Sequence, residues 1–189
     1  MIRLIGPGGA GKSTIAALLA ERLGVPFVDL DRQFAGRAGD IGEYIRRHGY
    51  DAYARENVET YCSLSRRWIR PAVVALSSGF MTYARDVHLD YRHVRRELEE
   101  CARTFILLPS LDRDLCVAET VRRQIARPFG RPPEREEAVI RTRFEIYMAF
   151  PMRKIETMRP PAAIVDEILA ALSHANNSLQ PPPWATYRG

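Results

Sequence analysis

Short apolar runs alternate with longer amphipathic segments along most of this chain of 189 residues. Runs bounded by glycine or polar residues predict buried β-strands over 2–5, 26–30, 72–76 and 104–108, with a shorter fifth over 154–156. Helical spacing of apolar residues predicts α-helices over 12–23, 41–68, 92–100, 113–124, 136–147 and 162–173, the second broken near Gly49. Alternating strands and helices predict an α/β fold of three layers, α/β/α, around a five-stranded parallel sheet. Ligands of such folds bind at the carboxyl ends of the strands.

The first strand is followed by the stretch GPGGAGKST, which opens the first predicted helix. It matches the G-x-x-x-x-G-K-[ST] pattern of phosphate-binding loops (P-loops), in the strand–loop–helix context that the pattern requires. Lys12 is expected to reach the β- and γ-phosphates of a nucleoside triphosphate, and the Ser13 hydroxyl to bind Mg²⁺. A glycine-rich turn without a ligand is the alternative. The expected nucleotide contacts in this loop are Gly8, Gly9, Ala10, Gly11, Lys12, Ser13 and Thr14.

Composition narrows the possible partners. The chain has two lysines against 26 arginines, and a compact ammonium such as that of Lys12 fits a tight loop better than a planar guanidinium. The net charge of +5 suits anionic small molecules, and we expect no nucleic-acid partner. No apolar run approaches the roughly 18 residues of a membrane span, and three widely spaced cysteines show no metal or redox spacing. These features predict a cytoplasmic protein with no membrane partner.

The class of nucleotide enzyme follows by elimination. No Asn-Lys-x-Asp motif is present, which argues against a guanine-specific switch protein, and the length leaves no room for the helical lid domain of larger ATPases. A small-molecule kinase remains. Asp29 and Asp31 close the second predicted strand, where residues two apart point the same way. Both carboxylates are therefore expected beside the P-loop, and the alternative is that one of them caps the next element.

The order of these segments resembles the shikimate kinase family, in the nucleoside monophosphate kinase-like branch of P-loop proteins, over roughly residues 2–172. GVPFVDLDRQF (24–34) resembles the family's Asp-x-Asp segment, and RQIARPF (123–129) resembles its lid. RFEIY (143–147) resembles its Arg-x-x-x-Tyr segment, and KIETMRPPAAIVDEIL (154–169) resembles its last strand, adenine-side loop and closing helix. The resemblance implies ATP-dependent, Mg²⁺-assisted phosphorylation of a small hydroxylated carboxylic acid, shikimate first.

The resemblance also implies a domain layout. One kinase domain would span 1–173, with acceptor-binding helices over about 32–70 and a lid over about 122–135. A proline-rich tail would follow over 174–189. A monomer is expected, with a dimer as the alternative.

Roles near the nucleotide are implied for five residues. Asp29 would hold Mg²⁺ through water, and Asp31 would bind the acceptor hydroxyl and accept its proton. Arg127 in the lid would close on the γ-phosphate. The alternative for Arg127 is a solvated charge, with its role shared among the neighbouring Arg122, Arg123, Arg131 and Arg135. Arg123 and Pro160 would also contact the nucleotide.

On the acceptor side, Arg143 would bind the carboxylate of the acceptor, and the alternative is that Arg143 forms a surface ion pair. Arg55, Ser78 and Gly79 would complete this pocket. Two segments depart from the family pattern. Ser77, Ser78 and Gly79 stand where the family has Gly-Gly-Gly, and Tyr53 is followed by Ala54 and only then Arg55, whereas the family places an arginine directly after the aromatic residue. A kinase of another polyol, sugar acid or nucleotide, or a non-catalytic nucleotide-binding protein, are therefore the alternatives.

Overall fold

Five parallel strands form the centre of the fold. The structure is a computed structural model that describes residues 1–67, 70–125 and 133–177. The strands lie in the order β2-β3-β1-β4-β5 and all pairs are parallel. Their bounds are β1 Ile2–Ile5, β2 Phe27–Asp29, β3 Val73–Ala75, β4 Thr104–Leu108 and β5 Arg153–Glu156. The prediction of a three-layer α/β/α fold is confirmed.

Helices connect the strands and cover both faces of the sheet. They are α1 Lys12–Leu23, α2 Leu30–Ala38, α3 Ile41–His48, α4 Tyr50–Arg67, α5 Tyr91–Glu100, α6 Arg113–Ile125, α7 Pro133–Ala149 and α8 Pro161–Asn177. A 3₁₀ turn, Phe80–Thr82, follows β3. The expected break near Gly49 is confirmed, because α3 and α4 meet there.

Successive residues of the central strands enter two separate cores, as the alternation of a β-strand requires. Leu4 packs in a core with α1 and α8, whereas the next residue, Ile5, packs with α4, α5 and α7. Both residues are almost completely buried. The sheet is therefore apolar on both faces, and polar groups collect at its edge, where the strands end.

The second strand is shorter than predicted. It ends at Asp29, and Leu30, expected in the strand, begins α2. Asp29 has extended backbone angles, and its Oδ1 accepts hydrogen bonds from the backbone nitrogens of Asp31 and Arg32 at 3.0 and 3.3 Å. Asp29 is thus the N-cap of α2. The expectation that strand alternation aligns the two aspartates is wrong, because Asp31 lies in the first helical turn.

Candidate active site

The P-loop turns tightly between β1 and α1. Gly6, Gly9 and Gly11 have φ values of 141°, 80° and 84°, which only glycine adopts readily. A side chain on Gly8 would overlap the Gln124 amide. The backbone can therefore turn its N–H groups toward a bound anion at the start of α1, where the helix dipole adds partial positive charge.

Lys12 lies inside this loop. It is 9% exposed, and its Nζ donates hydrogen bonds to the carbonyl oxygens of Gly6 and Pro7 at 2.8 and 2.9 Å. The ammonium is thus held at the centre of the loop, where it can reach phosphate oxygens with a small rotation of its stem.

Two oxygen donors meet beside the loop. The Ser13 hydroxyl donates to Asp29 Oδ2 at 2.7 Å, and both residues line a cavity of about 130 Å³. The other residues around this cavity are Gly8, Gly9, Gly11, Lys12, Thr14, Asp31, Leu76, Ser78 and Gln124. Hydroxyl and carboxylate oxygens are suitable ligands for a hard divalent cation, so this pair fits the predicted metal site. The capping alternative for Asp29 also holds, because its Oδ1 caps α2 while its Oδ2 faces Ser13.

Asp31 lines the same cavity through a different contact. The Ser77 hydroxyl donates to Asp31 Oδ1 at 2.5 Å. Ser77 is 1% exposed and follows β3, the strand between β1 and β2. The sheet order therefore brings the P-loop, Asp29 and Asp31 together, although α2 rather than a strand carries Asp31.

Three tyrosines, Tyr50, Tyr53 and Tyr83, lie together near Gly79. Arg143 Nη2 donates to the Tyr50 hydroxyl at 3.1 Å, and a Cβ on Gly79 would overlap that hydroxyl. Tyr53 and Tyr83 lie next to Tyr50, with ring centroids 5.7 and 6.0 Å from it. Arg143 and Gly79, both predicted acceptor contacts, are therefore at one place.

Ser78 and Arg55 differ in their placement. Ser78 lines the cavity with the P-loop, and its carbonyl oxygen accepts a hydrogen bond from Tyr147 at 2.9 Å. Arg55 lies two positions after Tyr53 and so faces another side of α4. It is exposed, and its Nε donates to the Val87 carbonyl at 3.2 Å. A contact between Arg55 and the acceptor stays a prediction.

A second depression adjoins the P-loop on the side of α8. Arg123 lines it and donates from Nη1 to the Gly9 carbonyl at 3.1 Å. Thr157 and Arg159, in the loop between β5 and α8, also line this depression. Arg123 contacts this loop directly, because its Nη1 and Nη2 donate to the hydroxyl and carbonyl oxygens of Thr157 at 3.5 Å each. Pro160 lies in the same loop, immediately before α8. This space joins the phosphate site to the loop that the resemblance assigns to adenine.

Comparison with known proteins decides the family. The sequence profile described as "Shikimate kinase" matches residues 8–173. The chain belongs to the shikimate kinase family. Its similarity to shikimate kinase from Thermobifida fusca (strain YX) is 28% identity over 175 residues, 88% of this chain and 91% of that protein. Shikimate kinase from Rhizobium meliloti (strain 1021) is 29% identical over 178 residues, 89% of this chain and 83% of that protein.

The fold agrees with this assignment. The solved structure of shikimate kinase from Acinetobacter baumannii in complex with shikimate has a TM-score of 0.68 and 26% identity to this chain. The match covers 95% of this chain and 94% of that one. The chain is accordingly an ATP-dependent small-molecule kinase of the shikimate kinase family.

In this family member, a cluster of buried phenols lies between α4 and the end of β3. Burial is the main cause that raises the pKa of Tyr53 to about 12, and the charge of Asp31 adds to it. Burial likewise raises the pKa of Tyr83 well above its ordinary value. Both phenols therefore stay protonated at neutral pH and can donate hydrogen bonds.

Half of the predicted lid, residues 126–132, lies outside the described residues. Arg127 and Arg131 lie outside the described residues. The contact of Arg127 with the γ-phosphate therefore stays a prediction. The preceding end of α6 is described. There Arg122 donates two hydrogen bonds to Glu119, and with Arg123 it lowers the pKa of Glu119 to about 2. Glu119 is thus a carboxylate that anchors both arginines before the lid.

The described residues hold neither a ready-made metal cluster nor a membrane-spanning helix. Within residues 1–67, 70–125 and 133–177, no cluster of three or more His, Cys, Asp or Glu side chains is arranged to hold a metal ion. A cation at Ser13 and Asp29 would therefore need further oxygen ligands from phosphate or water. None of the helices in the described ranges is long and apolar enough to cross a membrane.

Several residues of the site carry little signal in the sequence. Ser77 stands out there only as a departure from Gly-Gly-Gly, and the predictions from the sequence include no role for Tyr50, Asn57 or Gln124. Positions 50, 53 and 57 share one face of α4, so a polar Asn57 on an otherwise buried face was the available signal. Gln124 lies at the end of a predicted helix and carries no such signal.

Proposed function

We propose that this chain transfers the γ-phosphoryl group of ATP to a hydroxyl of shikimate, with Mg²⁺ as the divalent ion. The single observation that carries the proposal is the shared cavity, in which Asp31 and the P-loop residues Lys12 and Ser13 line one space. The structure with shikimate from Acinetobacter baumannii, at 26% identity over 95% of this chain, supports the choice of acceptor.

Each residue around the cavity has a proposed role that suits its chemistry. Lys12 and the loop N–H groups would bind the β- and γ-phosphates. Asp31 would orient the acceptor hydroxyl and accept its proton. Ser13 and Asp29 would hold Mg²⁺, which supplies positive charge against the phosphate oxygens. Arg123 and the loop around Pro160 would contact the nucleotide, and Arg127 would close over the γ-phosphate.

The acceptor end is defined by Arg143. Arg143 is half-buried, and its Nη2 donates a hydrogen bond to the Tyr50 hydroxyl beside Gly79. A partly buried cation is costly without an anionic partner, so a carboxylate on the acceptor suits this position. Ser78 and Gly79 would contact the ring of the acceptor from the end of β3.

The experiment is a screen of hydroxylated acids coupled to ADP release, followed by the Arg143→Ala variant. A hydrogen bond to a charged group contributes about 1.5–3 kcal/mol. The KM for shikimate should therefore rise by roughly 10- to 150-fold in the variant. Arg141→Ala is the matched control, because Arg141 lies on the same helix but pairs with Asp114 and Glu137. Failure of the parent to phosphorylate shikimate, with turnover of another acceptor, would overturn the proposal.

A second candidate is a related carboxylic acid other than shikimate. Ser77 and Ser78 bring two hydroxyl groups to a segment where the family has glycine, and this favours an acceptor with a different shape or hydrogen-bonding pattern. Titration calorimetry of shikimate into the ADP-bound protein separates the two candidates. Heat of binding that Arg143→Ala removes would favour shikimate.

A further inference from the structure

Asn57 is a fully buried amide between α4 and the end of β3. Its Nδ2 lies 2.7 Å from Ser77 Oγ and 2.9 Å from the hydroxyl oxygens of both Tyr53 and Tyr83. Asn57 is 0% exposed and Ser77 is 1% exposed. Polar groups buried in this way destabilise a core unless they are hydrogen-bonded, and an apolar residue would avoid that cost. Packing alone therefore does not explain the cluster of Asn57, Ser77, Tyr53 and Tyr83.

The direction of the hydrogen bonds in this cluster follows from the carboxylate of Asp31, which Ser77 contacts. An ionised aspartate only accepts, so the single proton of Ser77 points to Asp31 Oδ1, 2.5 Å away. Ser77 Oγ must then accept from Asn57, which places the amide nitrogen, and not the amide oxygen, on the Ser77 side. The Asn57 Oδ1 atom is buried and has no hydrogen-bond partner among the described residues. The bonds therefore run from Asn57 through Ser77 to Asp31.

This order divides the two oxygens of Asp31 between separate tasks. Asp31 is exposed on the first turn of α2, where a short side chain can rotate. Its Oδ1 is held by Ser77, and within the described part of the chain no hydrogen bond to Oδ2 is found. Oδ2 is therefore the oxygen available to a ligand in the cavity beside the P-loop.

We propose that Ser77, oriented by Asn57, is a positioning residue that holds Asp31 through Oδ1 and leaves Oδ2 for the acceptor hydroxyl. The inference rests on the proposed function, in which Asp31 receives the acceptor proton. The acceptor oxygen bonds to the γ-phosphorus, the bond to the β,γ-bridging oxygen breaks, and ADP leaves with that electron pair. The acceptor proton passes to Asp31 Oδ2, and Ser77 keeps its own. A glycine at position 77 would have no side chain for this contact.

A double-mutant cycle tests whether Ser77 acts through Asp31. Ser77→Ala should lower kcat by about 10- to 150-fold, the effect of one hydrogen bond to a charged group, while the Kd for ADP stays unchanged. In an Asp31→Ala background the same substitution should change kcat less than about twofold, because no carboxylate remains to be positioned. An equal loss in both backgrounds, or a parent-like kcat in the folded single variant, would overturn the inference.

Crystal structures of the parent and of Ser77→Ala test the same role without depending on the identity of the acceptor. Crystals of the parent should show one orientation of Asp31, and crystals of Ser77→Ala should show it rotated or in several orientations. A single unchanged orientation would refute the positioning role. If the parent does not phosphorylate shikimate, the proposed function alone is lost, and the crystal comparison still decides the role of Ser77.

The chain offers a matched control for this substitution. Ser110 is also buried at the end of a strand, and its hydroxyl donates to the Glu156 carboxylate at 3.1 Å. Ser110→Ala removes the same kind of hydrogen bond away from the cavity with the P-loop. It should leave kcat and the orientation of Asp31 unchanged, so a comparable loss in this variant would also count against the inference.

Discussion

Replacing Gly79 with alanine should weaken acceptor binding and leave nucleotide binding unchanged. Gly79 has φ −101° and ψ −3°, which other residues adopt, so alanine introduces no backbone strain. Its Cβ would, however, overlap the Tyr50 hydroxyl and lie 3.1 Å from Arg143 Nη2 and 3.2 Å from Tyr83 Cε1. The methyl group would therefore force the Tyr50 hydroxyl and the Arg143 guanidinium to move.

The size of the effect follows from the contact that is displaced. Arg143 and Tyr50 share a hydrogen bond of 3.1 Å at the predicted carboxylate position. A bond to a charged group contributes about 1.5–3 kcal/mol, so the KM for the acceptor should rise by roughly 10- to 150-fold. Gly79 does not line the cavity around the P-loop, and the KM for ATP should stay within about twofold of the parent.

The assay is steady-state ADP release with the acceptor varied at saturating ATP. Gly36→Ala is the matched control, because Gly36 lies within α2 and a Cβ there would meet no atom within 4 Å apart from its chain neighbours and the local helix backbone. That variant should keep the parent KM and gain about 0.5–1 kcal/mol of stability. If Gly79→Ala folded normally and kept the parent KM for the acceptor, the acceptor would not bind against Gly79, and the assignment of this pocket would be refuted.

Three further predictions concern the nucleotide side and the buried phenols. Lys12→Ala and Lys12→Arg should both nearly abolish phosphoryl transfer with the fold intact by circular dichroism; near-normal turnover of Lys12→Ala would exclude the kinase assignment. Asp29→Asn, which still caps α2, should raise the Mg²⁺ concentration for half-maximal rate by about 10- to 100-fold. Asp31→Asn should instead lower kcat by roughly 10²–10⁴-fold. Identical Mg²⁺ titrations of the two variants would contradict the assignment of the metal to Asp29 and of the acceptor proton to Asp31. Burial raises the pKa of Tyr53 and of Tyr91 to about 12, so the unfolded chain releases their protons first. The two phenols contribute fully to the free energy of unfolding below pH 10, and this contribution is lost as the pH rises toward 12. The loss is about 1.4 kcal/mol per pH unit for each phenol. A free energy of unfolding in urea that stays constant between pH 9 and 11 would contradict this prediction.

The parts of the site that were predictable are those encoded by neighbouring residues. The P-loop was found because its glycines, Lys12 and Ser13 form one local pattern between a strand and a helix. The end of β2 was misplaced because a buried Leu30 fits either a strand or the first turn of a helix. An aspartate before a helix is also a capping signal, and Asp29 combines that role with a contact to Ser13.

The contacts that were not predictable join distant parts of the chain. Asn57 and Ser77 are 20 residues apart in sequence, and Tyr50 and Arg143 are 93 apart. No local pattern specifies such pairs, because they form only when α4, β3 and α7 pack together. The family resemblance points to Arg143, whereas its tyrosine partner follows only from the packed structure.

The position of β3 has a consequence for how the proposed acceptor site could change. β3 lies between the strand that leads into the P-loop and the strand that ends at Asp29. Neighbouring strands are about 4.8 Å apart, so the sheet itself sets a separation of roughly 10 Å between the phosphate-binding and carboxylate-bearing strands. Residues just after β3 lie between these two fixed points. Substitutions there would reshape the proposed acceptor pocket while the two strands on either side keep their spacing.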